Sequence, residues 1–271
     1  MSDTNTPVTE GEAQEFYEDF SLAVGERDWL VPNLRHEQLK LLIGELLGPR
    51  RGLTIADVGC GAGVMTAFLC RYGSVVGADF STAAIDAARK LAPAATFVTG
   101  GVEALPGGKY DVITLFDVLE HIPADGRPAF ILELRGRLAD HGLLFCSTPY
   151  PAATKHRRET GYEGLQIIDE QVELPAVIQE AAAVGLQLIE FKAYDVFAGS
   201  PEYQAMVFTP ARSFGGAPAL RPPRLTSRSR LTSYPRYQTA RRLALAGRAL
   251  VRGDVETARW FVRGKPPAVR S

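Results

Sequence analysis

Short apolar runs alternate with stretches of helical periodicity through the middle of this chain. The runs fall at about 53–58, 74–79, 95–99, 111–117, 142–148, 186–195 and 203–209. Each has strand length, and several are apolar throughout, as strands buried on both faces are. Helix-length stretches lie between them near 64–72, 82–91, 126–138 and 170–184. Ahead of them, His36 to Leu47 sets Leu39, Leu42, Ile43, Leu46 and Leu47 on one side of a helix, and Gly48-Pro49 stops it. Alternation at this spacing predicts an α/β fold: a mostly parallel sheet with helices on both faces. The last two runs are joined around Gly199-Ser200-Pro201. That link is too short for a crossover, so the seventh strand must run antiparallel to the sixth.

Several of these runs end in residues of another kind. The first, Leu53 to Val58, carries Asp57 and opens into Gly59, Gly61 and Gly63 before a helix begins near Val64. Glycines there allow a sharp strand-to-helix turn with backbone N–H groups exposed to a ligand. A dinucleotide fingerprint needs G-x-G-x-x-G; here the third glycine comes one residue early, and Val64 holds its place. The second run, S-V-V-G-A-D, ends at Asp79, eighteen positions after Gly61 and next to Phe80. That distance suits a carboxylate delivered to a ribose diol. The fourth continues as Y-D-V-I-T-L-F-D-V-L-E-H-I, from Tyr110 to Ile122.

Taken in order and at this spacing, the D-V-G-C-G-A-G turn, the acid after the second strand and the D-V-L-E-H-I stretch resemble the class I S-adenosylmethionine-dependent methyltransferases of small molecules, over about residues 35–210. The resemblance implies a Rossmann-like seven-stranded sheet with a reversed seventh strand. It implies S-adenosyl-L-methionine as cofactor and S-adenosyl-L-homocysteine as product. Gly59, Gly61, Gly63, Asp79, Phe80 and Phe116 then become cofactor residues. Asp57 either faces the cofactor's amino-acid end or holds the glycine turn through its N–H groups. Members of the family often carry an acid after the third strand for the adenine amine; here Gly101 stands at that position. The Val102 backbone or Glu103 remains to read the adenine. The N-terminal segment becomes a helical lid in which Tyr17 either touches the methionine end of the cofactor or simply packs.

Charge divides the chain. Residues 1–210 hold 16 Lys/Arg against 29 Asp/Glu, and residues 211–271 hold 14 against 2, so a net charge of −1 hides an acidic body and a basic tail. Three parts are expected: a tail and lid segment over 1–34, the catalytic domain over 35–210, and a basic linker with a helical extension over 211–271. Arg241, Arg248 and Arg252 recur at helical spacing, opposite Leu243, Ala246 and Leu250. Such a helix suits an anionic membrane or an acidic partner, or folds back on the acidic body. The acidic body disfavours nucleic acid as substrate. Three scattered cysteines (Cys60, Cys70, Cys146) and four separated histidines show no metal spacing. They predict reduced thiols in a cytoplasmic protein and no metal.

Acceptor chemistry is expected beyond the carboxyl ends of the fourth and fifth strands. Glu120 and His121 follow the fourth strand, and an imidazole there suits a general base, or else buttresses local structure. The polar connection from Thr148 to Asp169 supplies Tyr150, His156 and Tyr162 as further acceptor-side residues, with His156 the alternative base. The expected reaction is methyl transfer to a hydroxyl of a specialised metabolite, sugar or lipid intermediate. Nitrogen or carbon acceptors, RNA recruited by the tail, and a non-catalytic cofactor-binding protein are the alternatives.

Overall fold

The computed structural model describes residues 34–161, 168–196 and 200–211. All belong to the first of the two units into which the chain divides, Met1–Leu225 and Thr226–Ser271. The expectations for Tyr17, Tyr162, the lid and the basic extension lie outside the described residues.

Helix α1 (Leu34–Leu47) precedes β1 (Leu53–Val58), α2 (Val64–Leu69), β2 (Gly73–Asp79), α3 (Thr82–Leu91), β3 (Thr96–Thr99) and a short 3-10 turn at Val102–Ala104. Next come β4 (Tyr110–Phe116), a second 3-10 turn at Leu119–His121, α4 (Arg127–Arg137), β5 (Leu138–Pro149) and α5 (Pro151–Glu159). The described part closes with α6 (Leu174–Ala183), β6 (Leu186–Tyr194) and β7 (Tyr203–Pro210). The strands form one sheet in the order β3-β2-β1-β4-β5-β7-β6. β1 pairs parallel to β2 and β4, and β7 lies antiparallel between β5 and β6. The fold class and reversed last strand agree with the sequence reading.

Strand periodicity sorts alternate residues to opposite faces. Ile55, Val112, Phe145 and Val207 join the core under α1 and α2, with Leu39, Ile43 and Leu69. Ala56, Ile113, Leu144 and Phe208 join the other core under α4 and α6, with Ile131, Leu134 and Val177. Two layers of helix thus cover a sheet whose central strands are buried on both faces.

Two expectations need correction. The connection after β5 is not an uninterrupted loop: it opens with α5, P-A-A-T-K-H-R-R-E. This helix has no apolar stripe, so periodicity could not reveal it. Its signals are terminal: Pro151 opens it, and His156, Arg157 and Arg158 sit in its last turn, where cations oppose the carbonyl end of the helix dipole. β5 also begins earlier than expected, at Leu138. It reaches back to pair with Tyr110 through a register shift between Tyr110 and Val112.

Candidate active site

The glycine turn is shaped by φ angles of 71°, 51° and 81° at Gly59, Gly61 and Gly63. The three positions are constrained differently. A Cβ on Gly59 would lie 2.4 Å from Val118 Cγ2, and one on Gly63 would lie 2.9 Å from Ala88 Cβ, so both are also packed against neighbours. At Gly61 a Cβ would meet nothing within 4 Å. Gly61 therefore bounds open space, and its left-handed backbone sets how its peptide group faces that space. Asp79 ties the turn to the next strand: Oδ2 accepts from Gly61 N at 2.8 Å and Oδ1 from Ser81 N at 3.0 Å. Capping of α3 falls to Ser81, whose Oγ accepts from Ala84 N at 3.1 Å.

Asp57 lies beneath the turn and is fully buried. Its Oδ2 accepts from the Thr66 hydroxyl at 2.6 Å and its Oδ1 from the Thr114 hydroxyl at 2.8 Å. Burial pushes this carboxyl up to about 6, against the pull of both hydroxyls. Of the two readings of Asp57, these contacts favour the organising one, exercised through threonine side chains of α2 and β4. Phe116 is almost buried and packs on Phe145 with ring centroids 5.6 Å apart. Val102 is buried, while Phe80 and Glu103 are exposed beside Gly101.

A second group gathers beyond the carboxyl ends of β4 and β5. Asp117 leaves β4 with φ 57°, the one positive value on a non-glycine among the described residues. That conformation costs on the order of 1 kcal/mol for a residue with a Cβ. Its carboxylate forms an ion pair with Arg35, from the first turn of α1, 82 positions earlier in the chain. Burial holds the Asp117 carboxyl above its usual range, although Arg35, His121 and Arg157 pull it down. Glu120 is 2% exposed and its Oε2 has no hydrogen-bond partner. Burial first, and then the Asp117 charge, push its carboxyl well above the ordinary range.

His121 Nδ1 stands 2.6 Å from the Ile168 carbonyl, which fits a donating Nδ1–H. That bond selects the tautomer whose Nε2 is basic. Burial lowers the His121 imidazole, chiefly opposed by the Ile168 carbonyl and Asp169, so it is neutral near pH 7. His156 is exposed on α5, and Tyr150 precedes that helix. Of the two candidate bases only His121 joins the buried group.

Four residues of this group escaped the sequence reading. Arg35 Cζ lies 5.9 Å and Arg157 Cζ 5.6 Å from the ring centroid of Tyr203, so two cations share one aromatic ring. Tyr203 stacks on Tyr194 at 5.8 Å, and the Tyr194 hydroxyl bonds Ser147 Oγ at 2.7 Å. Arg157 lies on α5, in the polar connection after β5. No local motif marks Arg35, Ser147, Tyr194 or Tyr203; only the pairing of β5, β7 and β6 and the docking of α1 bring them together. Among the described residues, no group of three His, Cys, Asp or Glu is placed to hold a metal ion.

Comparisons with known proteins agree with this layout. Residues 55–142 match the family described as "Methyltransferase domain". A 107-residue segment is 34% identical to the mitochondrial ubiquinone biosynthesis O-methyltransferase of Candida albicans, covering 35% of this chain and 32% of that one. A 106-residue segment is 35% identical to the magnesium-protoporphyrin O-methyltransferase of Synechocystis, covering 36% and 45%. Against the ubiquinone biosynthesis O-methyltransferase of Nitrosomonas europaea, 34% identity extends over 140 residues, 44% of this chain and 57% of the relative. The matched segments thus span about a third to somewhat over half of these curated relatives. The crystal structure of the Synechocystis magnesium protoporphyrin IX methyltransferase, with bound S-adenosylhomocysteine, superposes with a TM-score of 0.62 at 18% identity, covering 75% of this chain and all of that one. A TehB-like methyltransferase from Corynebacterium glutamicum gives 0.53 at 21%, covering 71% and 98%. With the sheet order, the glycine turn and the acid after β2 in place, residues 55–142 match a methyltransferase domain and the described residues share the fold of these methyltransferases.

Proposed function

We propose that this protein transfers a methyl group from S-adenosylmethionine to a hydroxyl of a small molecule, a specialised metabolite, sugar or lipid intermediate. The observation that carries the reading is the neutral, tautomer-fixed His121 in the turn just after β4. An oxygen acceptor must lose its proton as it attacks, and an imidazole with a basic Nε2 is suited to take it. The names of the relatives, O-methyltransferases of ubiquinone and magnesium-protoporphyrin biosynthesis, support oxygen as the acceptor atom.

Three groups of residues fit the cofactor. Gly61 and its neighbours leave open space beside backbone N–H groups, Asp79 offers acceptors for a ribose diol, and Phe80 stands exposed next to them. When bound, the cofactor supplies a methyl on a sulfonium, already attached to an excellent leaving group. The protein's task is therefore mainly to position the acceptor in line and to remove its proton. Arg35 pairs with the Asp117 carboxyl and opposes the effect of its burial, while the buried Glu120 carboxyl stands beside them with its charged form disfavoured. The acidic charge over residues 1–210 speaks against an RNA acceptor.

The test is transfer of isotopically labelled methyl from S-adenosylmethionine to a panel of phenols, sugars and hydroxylated lipids, read by mass spectrometry. Label on oxygen is the expected result. Label appearing only on nitrogen or carbon, or no label on any acceptor despite cofactor binding, would contradict the reading.

A further inference from the structure

The segment 168–172, just ahead of α6, is held almost peptide by peptide. The Ile168 carbonyl accepts from His121 Nδ1 at 2.6 Å. The next peptide group is held from two sides. Its carbonyl, that of Asp169, accepts from Arg158 Nη2, and its N–H, that of Glu170, donates to the Glu120 carbonyl at 2.7 Å. Further on, the buried Gln204 of β7 donates from Nε2 to the Val172 carbonyl at 2.7 Å and to Thr148 Oγ1 at 3.2 Å. A peptide group is planar and rigid. The 169–170 peptide is therefore clamped between α5 and the turn that carries His121, and only the two backbone dihedrals of Asp169 separate it from the Ile168 carbonyl. Helix α5 is itself seated on the last strands. Tyr150 N donates to the Glu202 carbonyl at 2.8 Å, Thr154 is 2% exposed, and Arg157 lies against the Tyr203 ring. Arg158 is exposed in the last turn of α5, where it looks like a solvated charge, yet its guanidinium reaches back to this one peptide.

We infer that Arg158 is a positioning residue for His121: through the 169–170 peptide it holds the Ile168 carbonyl where the imidazole must donate Nδ1–H and present Nε2 as its proton acceptor. The inference rests on the reading of His121 as the base. A carbonyl only accepts hydrogen bonds, and a neutral imidazole carries one proton, so the place of this carbonyl decides which nitrogen bears it. Without Arg158 the peptide keeps its bond to Glu120 but loses the opposing one, and the Ile168 carbonyl turns away from the ring. The imidazole then divides between its two tautomers. With the proton on Nε2 that atom is a donor and cannot take a proton from an acceptor hydroxyl. A lysine at the same place still offers a donor to the Asp169 carbonyl.

Nitrogen NMR of the whole chain, labelled at its histidines and held well above the imidazole range, tests this without relying on turnover. The His121 signals are assigned by their loss in His121→Gln. In the wild type they should show the proton on Nδ1. In Arg158→Ala both ring nitrogens should move to intermediate positions, and Arg158→Lys should return them most of the way. His141, at the start of β5, serves as the internal control and should not move. Single-turnover methyl transfer by Arg158→Ala should fall by about tenfold, less than the loss of the ring itself, with affinity for S-adenosylhomocysteine unchanged. If Arg158 only opposes the dipole of α5, its loss lowers the thermal midpoint and leaves the His121 signals in place, which overturns the inference. Movement of the signals with no change in rate upholds the positioning and overturns His121 as the base. A wild-type ring already divided between tautomers overturns both.

Discussion

The two halves of this site are built in different ways. The half we assign to the cofactor, from Gly59 to Glu103, is made of segments that follow one another in the chain along β1, β2 and β3. Its groups are largely backbone N–H atoms, with one carboxylate at each strand end. The half we assign to the acceptor gathers Arg35, Asp117, Glu120, His121, Ser147, Arg157, Tyr194 and Tyr203 from segments far apart in the sequence. Its groups are side chains, held by an ion pair, stacked rings and burial. A site shared by many relatives can be written in short motifs where the ligand is constant. Where the acceptor varies, the same fold draws on whichever side chains its last strands and first helix bring together.

That contrast can be broken experimentally, and the largest effect should come from the acceptor half. His121→Ala should lower the single-turnover rate by about a hundredfold or more, with cofactor affinity unchanged. In the wild type, the acid limb of the rate should fall below the usual imidazole range near 6.5, since burial lowers His121 and only the neutral ring accepts a proton. An acid limb at or above that range would show that another group titrates.

The second effect belongs to α1, which closes the acceptor half. Burial, with Arg35 and Lys40, lowers His36 from 6.5 to about 3. The unfolded chain takes up this proton as pH falls through 6.5, and the native state does not until about 3. His36 therefore contributes stability above 6.5 that is lost on acidification, on the order of 3 kcal/mol by pH 4. Urea melts from pH 7 to pH 4 should show that loss, and His36→Gln should flatten it. An equal slope in both proteins would remove His36 as the cause.

A slightly smaller effect is expected at the ion pair. Arg35→Ala leaves the Asp117 carboxylate nearly buried without its cation and should cost roughly 2–3 kcal/mol, less than a fully buried pair because Arg35 is 23% exposed. Adding Asp117→Asn should recover part of the loss. Equal stability of the Arg35→Ala and wild-type proteins in urea would show that the pair contributes nothing.

The sequence made the cofactor half readable because its chemistry lies within contiguous, periodic segments. Asp57, Gly61 and Asp79 could each be placed from a strand pattern and a spacing, and the reversed β7 followed from a link too short to cross over. Even there the contacts were not readable: that Asp57 is occupied by Thr66 and Thr114 depends on α2 packing over β4. In the acceptor half, His121 was legible because it follows β4 directly. Arg35 was not, since an arginine at the start of an amphipathic helix looks like any solvated charge until Asp117 meets it. Helix α5 lacks an apolar stripe, so nothing in the sequence sets Arg157 against the Tyr203 ring. Gly101 stands where the resembled family often has an acid, and only the structure shows the Glu103 carboxylate where its Cβ would lie.

Titration with S-adenosylhomocysteine tests the division of the site most directly, comparing the wild type, Asp79→Ala and His121→Ala. The wild type should bind. Asp79→Ala should bind more weakly by about 1.5–3 kcal/mol, the loss of hydrogen bonds to a charged acceptor at the ribose. His121→Ala should bind as the wild type does, although it has lost turnover. Equal weakening in the two variants, or unaltered binding by a folded Asp79→Ala protein, would contradict the division of the site into a cofactor half and an acceptor half.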